Sequence, residues 1–249
     1  MRYFIEIAYN GKNYHGWQIQ PDAVSVQEVL EQTLSTLLRK DIKVTGAGRT
    51  DTGVHAKQLF AHFDEEVIED IPDLMYRLNS FLPKDISVQH IFEVKKEAHA
   101  RFDAVSRTYE YIISFKKDPF LDEFSYYIHH KPNVDIMNEA ANSLLNYKDF
   151  QCFSRSKTDV KTYYCKVQKA IWTERDSQLI FTIVADRFLR NMVRAVVGTL
   201  LEVGFEKISL SQFHEIIESK DRNKAGASAP AHGLYLTEVT YPEHIKINS

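Results

Sequence analysis

Gly46-Ala47-Gly48-Arg49-Thr50-Asp51-Thr52-Gly53-Val54-His55-Ala56 is the stretch from which the rest of the chain is best read. It sets three glycines, an arginine and an aspartate between two short strand candidates, Ile42–Val44 and Leu59–Phe63. Glycine admits backbone conformations closed to other residues, and loops held on rigid scaffolds often carry function. Two phosphate-cradling patterns fail here. Gly46, Gly48 and Gly53 do not fit GxGxxG, and no long helix follows them. Gly48 and Gly53 fit GxxxxG, but Val54 and His55 stand where a P-loop needs Lys and then Ser or Thr. What remains is a tight loop presenting Arg49 and Asp51 near each other. By spacing alone it is either a turn with a local surface ion pair or a functional loop.

Outward from that loop the element order is regular. Arg2–Ala8 alternates as a strand around Phe4, Ile5 and Ile7. Ser25-Val26-Gln27-Glu28 has capping-box form, and Val26, Val29, Leu30, Leu34, Leu37 and Leu38 follow at helical spacing. Asp70 caps a second helix carrying Leu74, Leu78, Phe81 and Leu82, which Pro83 stops, and Ile86–Val94 alternates again. The order is β-α-β-β-α-β. The second half repeats it loosely: a strand at Thr108–Phe115, a helix at Val134–Leu145, and a hairpin of Tyr164–Trp172 and Leu179–Val184 around Asp176-Ser177. A helix over Phe188–Val203 ends at Gly204, suited to a left-handed cap. A short helix begins at Ser209-Leu210-Ser211-Gln212, and a strand at Gly233–Tyr241 closes the chain. The expected fold class is therefore α+β: two tandem ferredoxin-like halves with largely antiparallel sheets joined in one body, the halves being 1–105 and 106–249.

Composition limits the function classes. With 31 Lys+Arg against 34 Asp+Glu the 249-residue chain carries a net charge of −3, so any pull on nucleic acid is local. Its 44% hydrophobic and 26% charged residues exclude a disordered or collagen-like chain. No run approaches the roughly 18 apolar residues of a membrane helix, and Glu6 interrupts any signal-peptide core, which points to the cytoplasm. Two cysteines, Cys152 and Cys165, are too few for a disulfide framework and fit no zinc or redox spacing. Ten histidines form no HExxH or paired metal spacing, so no metal is expected.

Two further segments combine charge with apolar surface. His99–Tyr111 is basic and aromatic together: Arg101 and Arg107 suit phosphates, and Tyr109 and Tyr111 share one strand face. The same pattern also describes a half-buried strand with core aromatics. In the Phe188 helix, Arg187, Arg190 and Arg194 fall in one narrow stripe beside a broad apolar arc. That stripe is either a solvated edge or a positive lining for a cleft, where the guanidinium fork holds carboxylates and phosphates.

Taken together with YNGKNYHGWQIQP, SVQEVLEQTL, LNSFLPKDISV, AHARFDAVSRTYEYII, FLRNMVRAVVGTLLEVG and APAHGLYL, the GAGRTDTGVHA segment closely resembles the bacterial tRNA pseudouridine(38–40) synthase family over nearly the whole chain. The resemblance implies two ferredoxin-like halves with an active-site cleft between them, a homodimer, no cofactor, and uridines 38 to 40 of the tRNA anticodon arm as substrates. It implies that Asp51 is the catalytic aspartate (the nucleophile), that Arg49 helps extrude the target base, that Tyr109 packs on the uridine, and that Arg194 pairs with the aspartate. Asp186-Arg187 stands where the family often has a small or amide pair, and His232 where Glu is frequent. Making pseudouridine breaks the N1–sugar bond, turns the base and joins C5 to the same carbon, with neither redox change nor net hydrolysis, so no cofactor or metal is demanded. A carboxylate suits it as nucleophile or as base. Two other classes compete. A non-catalytic RNA-binding module has little use for Asp51 in a positive cleft. A carboxylate-dependent nucleosidase usually needs a second carboxylate or a metal.

Overall fold

The computed structural model describes residues 1–155 and 160–247, in two compact units. The first comprises Met1–Val105 together with the chain from Leu236 onward; the second is Ser106–Tyr235. The last strand, expected to end the second half, thus groups with the first unit from Leu236 on. The class is mixed α+β, with five α-helices and nine strands among the described residues. None of these helices is long and apolar enough to cross a membrane.

In the first unit, β1 (Arg2–Tyr9) lies between β3 (His55–Asp64) and β4 (Ile86–Val94), antiparallel to both. The two-residue β2 (Thr45–Gly46) pairs with β3, and β9 (Leu234–Thr240) follows β3 in the strand order. Helices α1 (Val26–Leu38) and α2 (Ile71–Phe81) pack together, with α2 against β4. Both helices start where the sequence directs. Ser25 Oγ accepts from Glu28 N at 3.2 Å and Asp70 Oδ1 from Asp73 N at 2.8 Å, each satisfying an orphan N–H. Central β1 is buried on both faces: Ile5 and Ile7 on one, Phe4 on the other. Phe4 and Phe60 pack edge-on against Tyr241 at 5.2 and 5.3 Å. The Tyr241 hydroxyl donates to Ala100 O at 2.5 Å and Val105 N donates to Thr240 O at 2.8 Å. Those contacts hold the C-terminal segment to the first unit.

Ile42–Val44 is not the strand expected. Ile42 N donates to Ser35 Oγ (2.9 Å) and Val44 N to the buried Glu31 carboxylate (3.0 Å), so side chains of α1 take the N–H groups a strand partner would have used. Pairing begins one residue later, at Thr45.

In the second unit, β5 (Ser106–Ser114) and β7 (Val167–Arg175) flank β8 (Gln178–Ala185), all antiparallel, and β6 (Tyr126–Tyr127) pairs parallel with β5. β7 and β8 close on the expected two-residue turn, where Asp176 takes φ 55°. Helices α3 (Val134–Ser143), α4 (Met192–Gly204) and α5 (Leu210–Ser219) pack on one another, with α3 against β7. α5 opens with a complete capping box: Ser209 Oγ accepts from Gln212 N (3.2 Å) and Gln212 Oε1 from Ser209 N (2.8 Å).

Two expectations for α4 are corrected. The helix starts at Met192, not Phe188, because Asn191 sits in the left-handed region at φ 65° and ends any helical run from upstream. Arg187 and Arg190 therefore precede the helix, and the three-arginine stripe is not a helical stripe. Gly204 is not a left-handed cap either: it is the last helical residue, and Phe205 behind it has φ −90°. Its glycine serves packing, since a Cβ there would lie 2.6 Å from Met137 Cγ and 2.8 Å from Pro132 Cβ.

Candidate active site

The Asp51 loop leaves β2 and enters β3, and the stretch between β1 and α1 supports it from below. Thr50 points inward, and its hydroxyl meets Tyr9 OH at 2.8 Å. Asp51 O accepts from Val54 N at 3.1 Å, closing a turn whose third residue, Gly53, has φ 77°. That position rejects a side chain, which gives one glycine of the motif its reason. Gly53 N reaches Tyr14 O at 3.3 Å. Gly11 N donates to Nδ1 of the buried His55 at 3.1 Å, which fixes that ring nitrogen as an acceptor. A Cβ at Gly16 (φ 85°) would collide with the Thr50 carbonyl, and one at Gly11 with the Val54 carbonyl. Gly46 presents its bare Cα to the buried Trp17, whose Cζ2 would stand 2.8 Å from a Cβ.

The supporting stretch is itself anchored. Asp85 accepts from Tyr14 OH at 2.6 Å and Asn13 Nδ2 at 3.1 Å through its carboxylate, and from Asn10 N at 2.9 Å through its carbonyl. Burial and the Asp85 carboxylate together hold the Tyr14 phenol far above its ordinary range, so it stays a donor. Tyr9, Tyr14, Gly16 and Asp85 are thus working parts that no reading of the loop by itself finds. For the first three the sequence signal is the run Tyr9–Trp17, dense in Gly, Asn and Tyr, whereas Asp85 lies far off in the LNSFLPKDISV segment.

On this platform Arg49 is exposed and Asp51 half-buried. Gly48, between them and β2, is unlike the other glycines here in that a Cβ there would meet nothing within 4 Å, and its φ is not left-handed.

The other two residues singled out lie in the second unit. Tyr109 is half-buried on β5, paired with Ile183 of β8, and its ring meets Phe188 edge-on at 5.1 Å. Tyr111, one step along the same face, is fully buried, and its hydroxyl donates to Pro230 O at 2.9 Å. The strand therefore carries both meanings its composition allowed: Tyr111 is core and Tyr109 remains accessible. Arg194 is half-buried in the first turn of α4, and its Nε donates to Ala229 O at 2.7 Å. Arg107, a candidate phosphate contact, gives one guanidinium nitrogen to Asp186 O at 2.7 Å. The Asp186 carboxylate, where the sequence departs from the family pattern, accepts from Lys166 N and Arg187 N at 2.7 Å each and so ties the start of β7 to the end of β8.

Cys152 and Cys165 are free and buried, and burial pushes both thiols up to about 12, leaving them unsuited to nucleophilic work. No group of three His, Cys, Asp or Glu side chains among the described residues is arranged to hold a metal ion.

Arg49 and Asp51 therefore sit together on one braced turn of the first unit, while Tyr109 and Arg194 belong to the second. The sequence model of a family described as tRNA pseudouridine synthase matches residues 6–103 and 140–242, and the chain belongs to that family, isomerases that act on uridine in tRNA. Full-length relatives narrow the likeness. The chain is 54% identical to the tRNA pseudouridine synthase A of Parabacteroides distasonis over 245 residues, 98% of this chain and 97% of that one. It is 54% identical to that of Bacteroides fragilis over 246 residues, 98% of each chain, and 50% identical to that of Porphyromonas gingivalis over 248 residues, again 98% of each.

Proposed function

We propose that this chain converts uridines 38, 39 and 40 in the tRNA anticodon arm to pseudouridine, with Asp51 as the essential group. The two units are then the two ferredoxin-like halves implied by the element order. The observation that carries the assignment is the Asp51 turn itself: a half-buried carboxylate on a backbone that Tyr14, Gly16 and Gly53 hold in one conformation. Preorganisation of that kind is what a reacting group requires and a surface ion pair does not.

The reaction starts with a uridine in a stem or loop, which must leave its stack at a cost of a few kcal/mol. Arg49, exposed beside the turn, holds the opening in the RNA, and Tyr109 offers the flipped base a ring to stack on. The bond from N1 to sugar C1′ breaks, with Asp51 acting either as nucleophile at C1′, displaced again when C5 attacks, or as base for a sugar proton that it later returns. The base turns, C5 joins C1′, the C5 proton leaves and N1 gains one. Both routes need a carboxylate at Asp51, and Arg194 is the basic partner assigned to it. No electron changes hands and no water is consumed, so neither metal nor cofactor is required. The protein works as a homodimer and, being acidic overall, holds tRNA through local positive surface.

The deciding experiment follows tritium release from tRNA labelled at uridine C5, without added metal or cofactor, for wild type and Asp51→Asn. Wild type releases tritium and the variant does not, while both bind tRNA. Near-normal release by Asp51→Asn would remove Asp51 from the chemistry. Tritium retained on tRNA by wild type, with binding intact, would favour an RNA-binding module, and free uracil would mark a nucleosidase.

A further inference from the structure

The guanidinium of Arg194 does not take its orientation from α4 alone. A strap of chain, Ala225–Ala229, lies along the helix and is joined to it at four points. Ala229 N donates to Arg194 O (2.9 Å) and Arg194 Nε donates back to Ala229 O (2.7 Å). Gly226 N donates to the buried Thr199 Oγ1 (2.9 Å), whose own hydrogen goes to Ala195 O (2.8 Å). Asn191 Nδ2, at the left-handed residue that starts the helix, donates to Ser228 Oγ (2.6 Å). Gly198 lets the strap approach, because a Cβ there would collide with the Ala227 carbonyl.

One side chain folds the strap into this shape. Arg222 Nη1 donates to Ala225 O (3.2 Å) and Gly226 O (3.1 Å), and its Nη2 to Ser228 Oγ (2.9 Å). Three acceptors on a five-residue turn are met by one planar fork, a geometry that lysine's single ammonium does not reproduce. Ser228 Oγ receives both Asn191 and Arg222, so helix start and strap share one oxygen.

We propose that Arg222 is a positioning residue of the isomerisation: it shapes the Ala225–Ala229 strap, whose Ala229 carbonyl holds Nε of Arg194 and thereby sets the plane in which its two terminal nitrogens are presented. The proposal rests on the role given to Arg194 above. A 2.7 Å bond at Nε leaves the guanidinium little freedom to rotate about its own axis, and a fork fixed in plane meets a carboxylate with two parallel bonds rather than one. Groups that orient metal-ligating side chains commonly cost about ten- to a hundredfold when removed, and an effect of that order is expected of a group that orients Arg194.

The test is a double-mutant cycle on single-turnover tritium release at saturating enzyme, with tRNA dissociation constants measured separately by filter binding. Arg222→Ala and Arg222→Lys should each slow the step about tenfold or more, with tRNA affinity within about twofold of wild type. Arg194→Lys, which loses the Nε bond, should slow it as well. Arg222→Ala added to Arg194→Lys should cost almost nothing further, because the group it orients is gone. Ser228→Ala, which keeps Arg222 but removes the oxygen it shares with Asn191, should follow the same non-additive pattern and replaces Arg222→Ala if that variant does not fold. Effects that multiply, a wild-type rate for the Arg222 variants, or a loss of tRNA affinity that accounts for the whole rate change would each overturn the proposal while leaving Arg194's role standing. A wild-type rate for Arg194→Lys would overturn that role, and the positioning proposal with it.

Discussion

Gly16→Ala puts the brace under Asp51 to a direct test. Gly16 has φ 85°, and a methyl group there would strike the Thr50 carbonyl. The left-handed backbone costs an L-residue roughly 1–2 kcal/mol, and relieving an overpacked contact costs roughly 1–3 kcal/mol more. The sum, about 3 kcal/mol, corresponds to roughly 10 °C in Tm for a chain of this size. The relief cannot stay local, because the atom struck belongs to the peptide joining Thr50 to Asp51. On the role proposed for Asp51, a shift of its carboxylate by about 1 Å is worth around a hundredfold in rate. Gly48→Ala is the matched comparison in the same loop. With no heavy atom within 4 Å of its Cβ and no left-handed φ, it should change Tm by less than about 2 °C, and it stabilises if the unfolded chain loses freedom. Differential scanning fluorimetry and tritium release on both variants give the four numbers needed. A Gly16→Ala protein with wild-type Tm and wild-type rate would refute the claim that this contact holds the loop.

Three further outcomes follow from the same coordinates. Burial, with the positive charges of Arg2 and His99 nearby, lowers His62 to about 4, against the opposing pull of Asp64 and Asp103. The unfolded chain therefore takes up this proton first, and stability falls as pH drops from about 6.5 toward 4, by on the order of 3 kcal/mol in total. Urea midpoints across that range should decline less steeply in His62→Gln, and an unchanged slope would count against the assignment. Cys152 and Cys165 should resist alkylation at pH 8 in the native protein and react only on unfolding; rapid native labelling of either would contradict their burial. The affinity for tRNA should fall linearly with log salt, in proportion to the number of phosphates neutralised, and a flat response in filter binding would argue against electrostatic docking.

Much of this molecule is legible along the chain, because the signals are local. Ser25, Asp70 and Ser209 cap the helices they precede through atoms three residues away. The Asp176-Ser177 turn joins strands whose alternation already fixes their faces. The Asp51 motif is specific enough to name a family. What the chain does not announce is decided by atoms far off in sequence. Ile42–Val44 looks like a strand but gives its N–H groups to α1. Gly204 looks like a cap but makes room for Met137 and Pro132. Phe188 looks helical, yet α4 waits for Asn191, which takes a left-handed turn and donates to Ser228, 37 residues on. Sequence periodicity records which side chains seek burial, whereas these outcomes depend on which backbone groups and side chains meet once the elements pack. The same division runs through the site: the residues proposed to act on the uridine are written in motifs, while what Gly16 and Asp85 brace, and what Arg222 is proposed to orient, follows only from what the fold sets against them.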